Sequence, residues 1–521
     1  MASCSLEQPG RLRTPQAVTA EALQKAIVQP SATGSCLGSR TWRGAAGSPR
    51  EAGSSSDGRK LPQSGLILQQ LLDLGWTPSK DEVSEIVSVG IDKFRWHEDP
   101  RRATTVLSSL ARHQLPRTAT FVLSSMLAKS VEANVFHFNA AISACEKGKQ
   151  WELALGLLNR MPDMTVIPDG ISYNAAISAC EKGGQWRLAL RLLNSMPDMR
   201  VIPNQISFNA AISACEKGGQ WQLALGLLSI MPDMSLVADV VSYNAAISAC
   251  EKGSQWQLAL SLLSSMPCMR VNADRISCSA VITACEKGGQ WQLALSLLSS
   301  MPDMRVIPNE INYNAAISAC EKGSQWQLAL SLLSSMPCMR VIPDEISCSA
   351  AISAFEKGGQ WQLALSLLGS MPDMRVIPNR ISHNAAISAC EKGGQWQLAL
   401  SLLSSMPYMR VSPNEISYSA AITACEKGGQ WQLALGLLRS MPAVRVIPNE
   451  ISYIAAISAC EKVGLWQLVL DLLSSMDACT LNSLTSSFYI CIDDSLTEPG
   501  CEEREGLTLH ENNNRGGYYT E

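Results

Sequence analysis

Apolar residues recur along most of the chain at helical spacing, within a unit of 35 residues that repeats in register. In the unit Glu310–Asp344, the apolar side chains Tyr313, Ala316, Ile317 and Cys320 lie three or four residues apart. This spacing puts them on one face of a helix with 3.6 residues per turn. The pattern therefore predicts that each unit opens with a helix that packs through this face.

A turn and a second helix complete the unit. In the same copy Gly323 predicts the end of the first helix, because glycine is favoured just past a helix end. The segment from Gln325 to Met336 is apolar on nearly every side, which predicts a second helix buried between its neighbours. Pro337 follows at once and cannot continue that helix. Each unit is thus a helix, a turn, a helix and a bend.

Ten copies fill residues 135–484, and a divergent copy precedes them at 100–134. Residues 63–99 predict a leading cap of two helices, around Leu66–Leu74 and Asp81–Phe94. Because each helix pair buries its apolar faces only against adjacent pairs, the stack grows in one dimension. The predicted fold is all-α, a right-handed α-solenoid superhelix of stacked helix–turn–helix repeats.

Repeats one to ten are named here in chain order, and residues 1 to 35 of a repeat are counted from its first residue. The repeats are Val135–Asp169, Gly170–Asn204, Gln205–Asp239, Val240–Asp274, Arg275–Asn309, Glu310–Asp344, Glu345–Asn379, Arg380–Asn414, Glu415–Asn449 and Glu450–Leu484.

Composition and charge are those of a packed protein without a strongly basic surface. Hydrophobic residues make up 46% of the chain and charged residues 17%, and the formal net charge is −4. This charge gives no electrostatic support for binding phosphates. No apolar run approaches the ~20 residues needed to cross a bilayer, so we expect a soluble protein without membrane contact.

The cysteines follow the repeat instead of forming a disulfide pattern. Nine of the 18 occupy the same place in successive repeats, and Phe355 stands there in repeat seven. A phenyl ring can replace a buried thiol in a core, but it cannot replace a metal ligand or a disulfide partner. We therefore predict that these cysteines are core thiols.

The two ends of the chain differ from the repeats. Residues 1–62 are rich in Ser, Gly, Ala and Arg, with twice as many basic as acidic residues. This composition predicts a disordered segment, which is either a solvated tail or an organelle transit peptide. Residues 485–521, with Glu502, Glu503 and Glu505, predict a disordered acidic tail.

The first helix also carries a polar stripe, formed in repeat six by Asn314, Ser318 and Glu321. Most positions barely change between repeats, whereas residue 5 alternates between Asn and Ser and residue 35 between Asp and Asn. Ionised Asp only accepts hydrogen bonds, whereas Asn donates and accepts them. Uracil offers a donor where cytosine and adenine offer acceptors. Two variable polar residues per helical repeat are enough to read one base of RNA.

The repeats resemble those of the pentatricopeptide repeat (PPR) family, well over residues 135–484 and weakly over 100–134. In repeat six the family's pattern is matched by Tyr313-Asn314, Lys322-Gly323-Ser324, Ala329-Leu330, Met336 and Pro343-Asp344. The resemblance implies that single-stranded RNA binds parallel to the chain, with one base per repeat. It implies no cofactor.

The resemblance also implies three sets of RNA-contacting residues. Residues 5 and 35, with their counterparts in the divergent copy, would read the bases: Thr104, Asn134, Asn139, Asp169, Asn174, Asn204, Asn209, Asp239, Asn244, Asp274, Ser279, Asn309, Asn314, Asp344, Ser349, Asn379, Asn384, Asn414, Ser419 and Asn449. Residue 2 would sandwich them: Ile171, Ile206, Val241, Ile276, Ile311, Ile346, Ile381 and Ile416. Residue 13 would contact phosphates: Lys147, Lys182, Lys217, Lys252, Lys287, Lys322, Lys357, Lys392 and Lys427.

Under the family's pairing rule the divergent copy and repeats one to nine would prefer 5′-AUCUUAUACA-3′, with U tolerated at both C positions. Repeat ten has Ile454 at residue 5 and no polar residue 35, so we expect it to cap the stack and read no base.

No motif for catalysis or metal binding accompanies the repeats. The five histidines show no metal-binding spacing, and the tail cysteines Cys479, Cys491 and Cys501 form no Cys-x-x-Cys pair. We therefore predict a protein that is not an enzyme, binds no metal and acts on RNA by occupancy. Its expected setting is RNA stabilisation, processing or translation in a chloroplast or mitochondrion, or otherwise the cytoplasm. We expect it to be a monomer that recruits protein factors.

A second interpretation remains open, namely a protein-binding helical scaffold of the tetratricopeptide type. That family's units have 34 residues and carry Trp-x-x-Leu-Gly in the first helix, and neither feature matches this chain.

Overall fold

The computed structural model describes residues 64–94 and 96–475. The secondary-structure elements in these residues are all helices. Four helices precede the repeats: α1 (Ser64–Asp73), α2 (Lys80–Phe94), α3 (Arg101–Arg112) and α4 (Pro116–Ala128). Within these ranges no helix is both long and apolar enough to cross a bilayer. The predicted disordered ends, 1–62 and 485–521, lie outside the described residues.

Each repeat then contributes two helices. The first helices are α5 (Val135–Lys147), α7 (Gly170–Lys182), α9 (Gln205–Lys217), α11 (Val240–Lys252), α13 (Arg275–Lys287), α15 (Glu310–Lys322), α17 (Glu345–Lys357), α19 (Arg380–Lys392), α21 (Glu415–Lys427) and α23 (Glu450–Glu461). The second helices are α6 (Trp151–Arg160), α8 (Trp186–Ser195), α10 (Trp221–Ile230), α12 (Trp256–Ser265), α14 (Trp291–Ser300), α16 (Trp326–Ser335), α18 (Trp361–Ser370), α20 (Trp396–Ser405), α22 (Trp431–Ser440) and α24 (Trp466–Ser475).

The turn between the two helices of a repeat is formed at residues 14 and 15, where glycines follow the lysine at residue 13 in most repeats. Residue 14, such as Gly323, is the C-cap of the first helix, and residue 15 has a left-handed backbone. Most repeats place glycine at residue 15, where a positive φ has no steric cost, as at Gly289 with φ 67°. Lys149, Ser254 and Ser324 adopt the same conformation with a side chain. The tight turn therefore returns the chain antiparallel along the first helix.

The described chain forms two compact units, with the border between Ala354 and Phe355. In the first unit α7 contacts α5 and α9, and in the second unit α21 contacts α19 and α23, so first helices stack on first helices. Second helices contact the first helix of their own repeat and that of the next repeat, as α8 contacts α7 and α9 in the first unit and α20 contacts α19 and α21 in the second. This arrangement confirms the predicted all-α stack of helix pairs.

The prediction that the second helix is buried between its neighbours is wrong. In repeat six α15 buries most of its length, including Tyr313, Ala316 and Cys320, whereas α16 buries only Ala329 and Leu333. A first helix has neighbours on several sides, whereas a second helix contacts first helices along one side. Its other side faces solvent, where leucines are left partly exposed, as Leu223 is at 40%.

The repeated cysteines are core thiols, as predicted. Cys285 and Cys320 are fully buried, and burial raises the pKa of Cys285 to about 12 and that of Cys320 to about 11. Phe355, which replaces the cysteine in repeat seven, is equally buried. The aromatic ring and the thiols therefore fill equivalent places in the packing.

The repeated tryptophans, at residue 17, join consecutive repeats. The indole of Trp291 lies against Gly323, the C-cap of the next first helix, so closely that a methyl group there would overlap it. The same contact joins Trp256 to Gly288 and Trp396 to Gly428. This contact supports packing, and not base stacking, as the role of these tryptophans.

Candidate nucleic-acid interface

Residue 35 of repeats one to nine is the N-cap of the next first helix. Asp169 has an extended backbone and accepts the backbone N–H of Ser172 on Oδ1 at 2.9 Å. The Ser172 hydroxyl in turn accepts the backbone N–H of Asp169 at 3.2 Å, which completes a capping box. Asn204 and Ser207 repeat this geometry one unit later. The cap holds the side chain of residue 35 in a fixed place.

Residue 5 lies within hydrogen-bond distance of residue 35 of its own repeat. Its amide nitrogen, Nδ2, donates to the Oδ1 of residue 35. The Nδ2 to Oδ1 distances are 3.0 Å for Asn139–Asp169, 3.2 Å for Asn174–Asn204, 3.1 Å for Asn209–Asp239, 3.1 Å for Asn244–Asp274, 3.1 Å for Asn314–Asp344 and 3.1 Å for Asn384–Asn414. In repeat nine the hydroxyl of Ser419 donates to Oδ1 of Asn449 at 2.9 Å. The structure thus brings together two residues 30 positions apart, called here the reading pair.

Two predicted pairs are not joined in this way within residues 64–94 and 96–475. No hydrogen bond links Thr104 to Asn134 in the divergent copy, where Asn134 caps α5 with His137. In repeat five the Ser279 hydroxyl donates to the backbone carbonyl of Arg275 at 2.7 Å instead of to Asn309. The members of the repeat-seven pair, Ser349 and Asn379, belong to different units.

The two members of a reading pair differ in accessibility. Residue 5 is almost enclosed, with exposed fractions of 8% for Asn314 and 5% for Ser419. Residue 35 is half-buried in most repeats and exposed at Asn204. A ligand that approaches this surface therefore meets residue 35 first, with residue 5 behind it.

Two aspartates of the reading pairs, Asp169 and Asp239, are stabilised as carboxylates. Burial by itself raises the pKa of Asp169, but the hydrogen bonds from Ser172 and Asn139 outweigh it, and the net pKa is lowered. The pKa of Asp239 is lowered for the same reasons, through Ser242 and Asn209. Both side chains are thus ionised at neutral pH and act as acceptors.

Residue 2 forms a row of exposed apolar side chains beside the reading pairs. The exposed fraction is 61% for Ile171 and Ile206, 55% for Val241, 59% for Ile276, 54% for Ile311, 61% for Ile346, 63% for Ile381 and 53% for Ile416. Residue 2 lies three positions before residue 5 and two positions after residue 35 of the preceding repeat. Ile311 and Ile346 therefore flank the pair Asn314–Asp344.

The lysines predicted to contact phosphate are engaged in ion pairs between repeats. In seven of these lysines Nζ lies close to Oε1 of the glutamate at residue 12 of the preceding repeat. The distances are 2.6 Å for Lys182–Glu146, 2.6 Å for Lys217–Glu181, 2.5 Å for Lys252–Glu216, 2.7 Å for Lys287–Glu251, 2.6 Å for Lys322–Glu286, 2.9 Å for Lys392–Glu356 and 2.8 Å for Lys427–Glu391. Lys147 is exposed, and it has no ion pair in the described part of the chain. Ala111 stands 36 positions before it, where the other lysines have a glutamate. This series of Lys–Glu ion pairs between successive repeats, called here the ion-pair ladder, was not predicted from the sequence.

The contact of residue 3 with the reading pair was not predicted from the sequence either. Ser172, Ser207, Ser242 and Ser417 are fully buried, yet each donates its hydroxyl to the reading pair of the preceding repeat. The signal was present as an Asp/Asn-x-x-Ser spacing across most repeat boundaries, with Asn312 in place of the serine in repeat six, a variant of the helix capping box.

The described residues contain no cluster of three or more His, Cys, Asp or Glu side chains able to hold a metal ion. The interface is therefore built from amides, carboxylates, hydroxyls and aliphatic side chains.

Comparison with solved structures finds several repeat proteins of low sequence identity. The pentatricopeptide repeat protein PPR10 from maize is 15% identical, with 83% of this chain and 92% of that chain covered and a TM-score of 0.31. PPR10 in complex with an 18-nt psaJ RNA element is 16% identical, with 79% and 81% covered and a TM-score of 0.32. Yeast Rmd9p in complex with a 16nt target RNA is 10% identical, with 86% and 98% covered and a TM-score of 0.33. A comparison with curated protein sequences returns no match.

Family models identify the repeats directly from the sequence. The model described as PPR repeat matches residues 206–236, 241–271, 311–341, 346–376, 381–411 and 416–445. The pentatricopeptide repeat domain matches 121–182 and 261–322, and the PPR repeat family matches 168–217. Together these matches extend over more than half of the chain, in register with the helix pairs. The chain belongs to the pentatricopeptide repeat family.

Proposed function

We propose that this protein binds single-stranded RNA sequence-selectively, with one base read by each reading pair. One observation carries the proposal. Residues 5 and 35 alternate in chemistry along the array, and they are also hydrogen-bonded to each other in repeat after repeat. A pair of polar groups held at a regular interval suits a polymer whose bases follow at a regular interval.

The surroundings of each pair fit a base held on both faces. In repeat six the pair Asn314–Asp344 is flanked by the exposed side chains of Ile311 and Ile346. Aliphatic side chains at these places can contact the two faces of a base whose edge points at the pair. In the free protein these isoleucines are more than half exposed to water, so covering them is favourable.

The chemistry of the pair supports discrimination between bases. An ionised Asp at residue 35 accepts only, so it suits the donor on the Watson–Crick edge of uracil. Asn at residue 35 can also donate, which suits the acceptor of cytosine or adenine. Serine at residue 5 is shorter than asparagine and leaves room for a purine. Because residue 5 is enclosed, we infer that the base contacts residue 35 directly. An asparagine at residue 5 can offer the base only its second amide N–H, whereas Ser279 and Ser419 already donate their single hydroxyl hydrogen within the protein.

We further propose that the protein acts in chloroplast or mitochondrial RNA stabilisation, processing or translation, by occupying its target and by recruiting protein factors. Membership of the family and the Arg- and Ser-rich composition of residues 1–62 support an organellar setting. The tetratricopeptide scaffold is not favoured, because the matching family models are those of pentatricopeptide repeats.

Fluorescence anisotropy with three labelled oligonucleotides tests the proposal. These are the RNA 5′-AUCUUAUACA-3′, a scrambled RNA of the same composition and the DNA of matching sequence. We expect clear preference for the first, since each mismatched position costs about 1–3 kcal/mol by analogy with other base contacts. Equal binding of all three would contradict base reading, and binding of none would favour a protein-binding scaffold.

A further inference from the structure

Residue 3 of each repeat is a polar side chain without solvent access. Ser172, Ser207, Ser242, Ser277 and Ser417 are all 0% exposed. A hydroxyl buried in a helical stack needs hydrogen-bond partners, and these partners lie in the reading pair of the preceding repeat.

In four repeats that follow a pair with asparagine at residue 5, the hydroxyl connects both members of that pair. Oγ of Ser207 donates to Oδ1 of Asn174 at 2.6 Å and lies 3.1 Å from Oδ1 of Asn204. The corresponding distances to residue 5 are 2.5 Å for Ser172–Asn139, 2.6 Å for Ser242–Asn209 and 2.6 Å for Ser417–Asn384.

This contact fixes which end of the residue 5 amide faces which way. Oγ of Ser207 accepts the backbone N–H of Asn204 at 3.1 Å, so its single hydrogen is left to donate. The nearer acceptor of that hydrogen is the amide oxygen of Asn174, at 2.6 Å against 3.1 Å for Oδ1 of Asn204. Because the oxygen of the Asn174 amide faces Ser207, its nitrogen is turned toward Asn204. One amide hydrogen bonds to Asn204, and the other remains for a ligand.

We propose that residue 3 of the following repeat is a positioning residue for base reading, because it locks residue 5 as a hydrogen-bond donor. The proposal rests on the proposed function, and it adds a third specificity-determining position to each reading pair.

Repeat five shows the same position adapting to a shorter partner. There residue 5 is Ser279, and the following residue 3 is Asn312 instead of serine. Nδ2 of Asn312 reaches across to donate to Oγ of Ser279 at 2.9 Å. The longer side chain thus spans the gap that the shorter one leaves, and the link between the two positions is kept.

Repeats four and six provide a matched control within the chain. Ser277 caps its helix by donating to Oδ1 of Asp274 at 2.8 Å, but it makes no bond to Asn244. Oδ1 of Asn244 is buried without a partner, as is Oδ1 of Asn314. Removing the hydroxyl of Ser277 therefore removes a cap without releasing residue 5, whereas removing that of Ser207 does both.

The test compares Ser207→Ala with Ser277→Ala in the full chain. Anisotropy is measured with ten-nucleotide RNAs that carry each of the four bases at nucleotide three, read by Asn174–Asn204, or at nucleotide five, read by Asn244–Asp274. We expect Ser207→Ala to lower discrimination at nucleotide three about threefold to tenfold, the effect of one neutral hydrogen bond. Discrimination at other nucleotides should stay unchanged, and Ser277→Ala should leave nucleotide five unaffected.

Thermal unfolding by circular dichroism checks that both serine variants lose similar stability through the lost cap. If Ser207→Ala fails to fold, Ser417→Ala tests the same contact at nucleotide nine. Equal loss of discrimination in the Ser207 and Ser277 variants, or no loss in either, would overturn the positioning role. A wild-type protein that binds every RNA equally would instead overturn the proposed function, and the positioning role with it.

Discussion

The ammonium group of Lys322 lies 2.6 Å from Oε1 of Glu286 in the preceding repeat. The same pairing recurs at Lys217–Glu181 and Lys252–Glu216, so positive and negative groups alternate along the ends of the first helices. A lysine held by a glutamate brings little net charge to a phosphate. The ion-pair ladder thus aligns neighbouring repeats and also limits the electrostatic attraction of RNA.

Substitution of a paired lysine should change the salt dependence of RNA binding very little. A lysine that neutralises one phosphate of a single strand contributes about 0.7 to the slope of log K against log salt. We expect Lys322→Gln to lower that slope by far less, whereas Lys147→Gln, at the lysine without an ion pair in the described chain, should lower it by about 0.7. Equal effects of the two variants would show that the ion pairs open when RNA binds.

The contact between Trp291 and Gly323 predicts opposite effects of two Gly→Ala variants. Gly323→Ala places a methyl group against the indole and should destabilise the fold by about 1–3 kcal/mol. Gly226→Ala lies in α10, where a methyl group meets no other atom, and should stabilise by about 0.4–1 kcal/mol. Urea unfolding followed by circular dichroism measures both. A neutral Gly323→Ala would mean that the indole moves aside freely.

Thiol labelling should separate the cysteines of the described chain into two classes. Cys268 and Cys338 are exposed, whereas Cys285 and Cys320 are buried with raised pKa values. Because the thiolate is the reactive form, iodoacetamide at pH 8 should modify the exposed pair and spare the buried pair until the protein unfolds. Peptide mass spectrometry reads each site. Rapid labelling of Cys285 in the native protein would show that the stack opens locally.

The buried thiols also make stability dependent on alkaline pH. Burial raises the pKa of Cys180, Cys215 and Cys250 to about 11 in the folded protein, from an ordinary value of 9.0. A raised pKa favours the folded state while the thiol is protonated, so this contribution is complete below pH 9. It should be lost as the pH rises from 9 through 11, and urea midpoints measured over that range should fall. Substitution of one buried cysteine by alanine should make the urea midpoint fall less steeply with pH. An unchanged dependence of the midpoint on pH would mean that other groups cause the loss of stability at alkaline pH.

Much of the fold follows from the sequence because the repeat is so regular. The period of 35 residues, the glycine after the lysine and the proline after the second helix each mark a boundary that the structure reproduces within a residue or two. Asp or Asn at residue 35 also marks the start of the next helix, since both residues favour the N-cap. Local signals of this kind occur in register in repeats one to nine, which makes the assignment robust.

The burial of the second helix could not be deduced in the same way. Helical spacing shows which residues are apolar, but not how many neighbours a helix will have. The leucines of α16 made that helix look like the core, whereas the small side chains of α15, such as Ala316 and Ala319, allow close approach on more than one side. The number of helices that pack against a given helix depends on how the repeats stack, so it cannot be deduced from the sequence of one repeat.

Contacts between repeats could likewise not be predicted from the sequence of a single repeat. The Lys322–Glu286 pair joins residues 36 positions apart, and the Asn174–Ser207 bond joins residues 33 apart. The sequence placed a glutamate next to every lysine of the ion-pair ladder, but only the stacked geometry shows that each lysine bonds to the glutamate of the repeat before it.

The most direct test of base reading changes one reading pair and its RNA together. Asn314→Ser with Asp344→Asn should move the preference at nucleotide seven from U to A, and Asp344→Asn alone should move it from U to C, each by about 1–3 kcal/mol. Anisotropy with the four bases at that nucleotide, and unchanged RNA elsewhere, measures both shifts against the wild type. Preference that follows the pair would establish the account, whereas preference for U in all three proteins would contradict it.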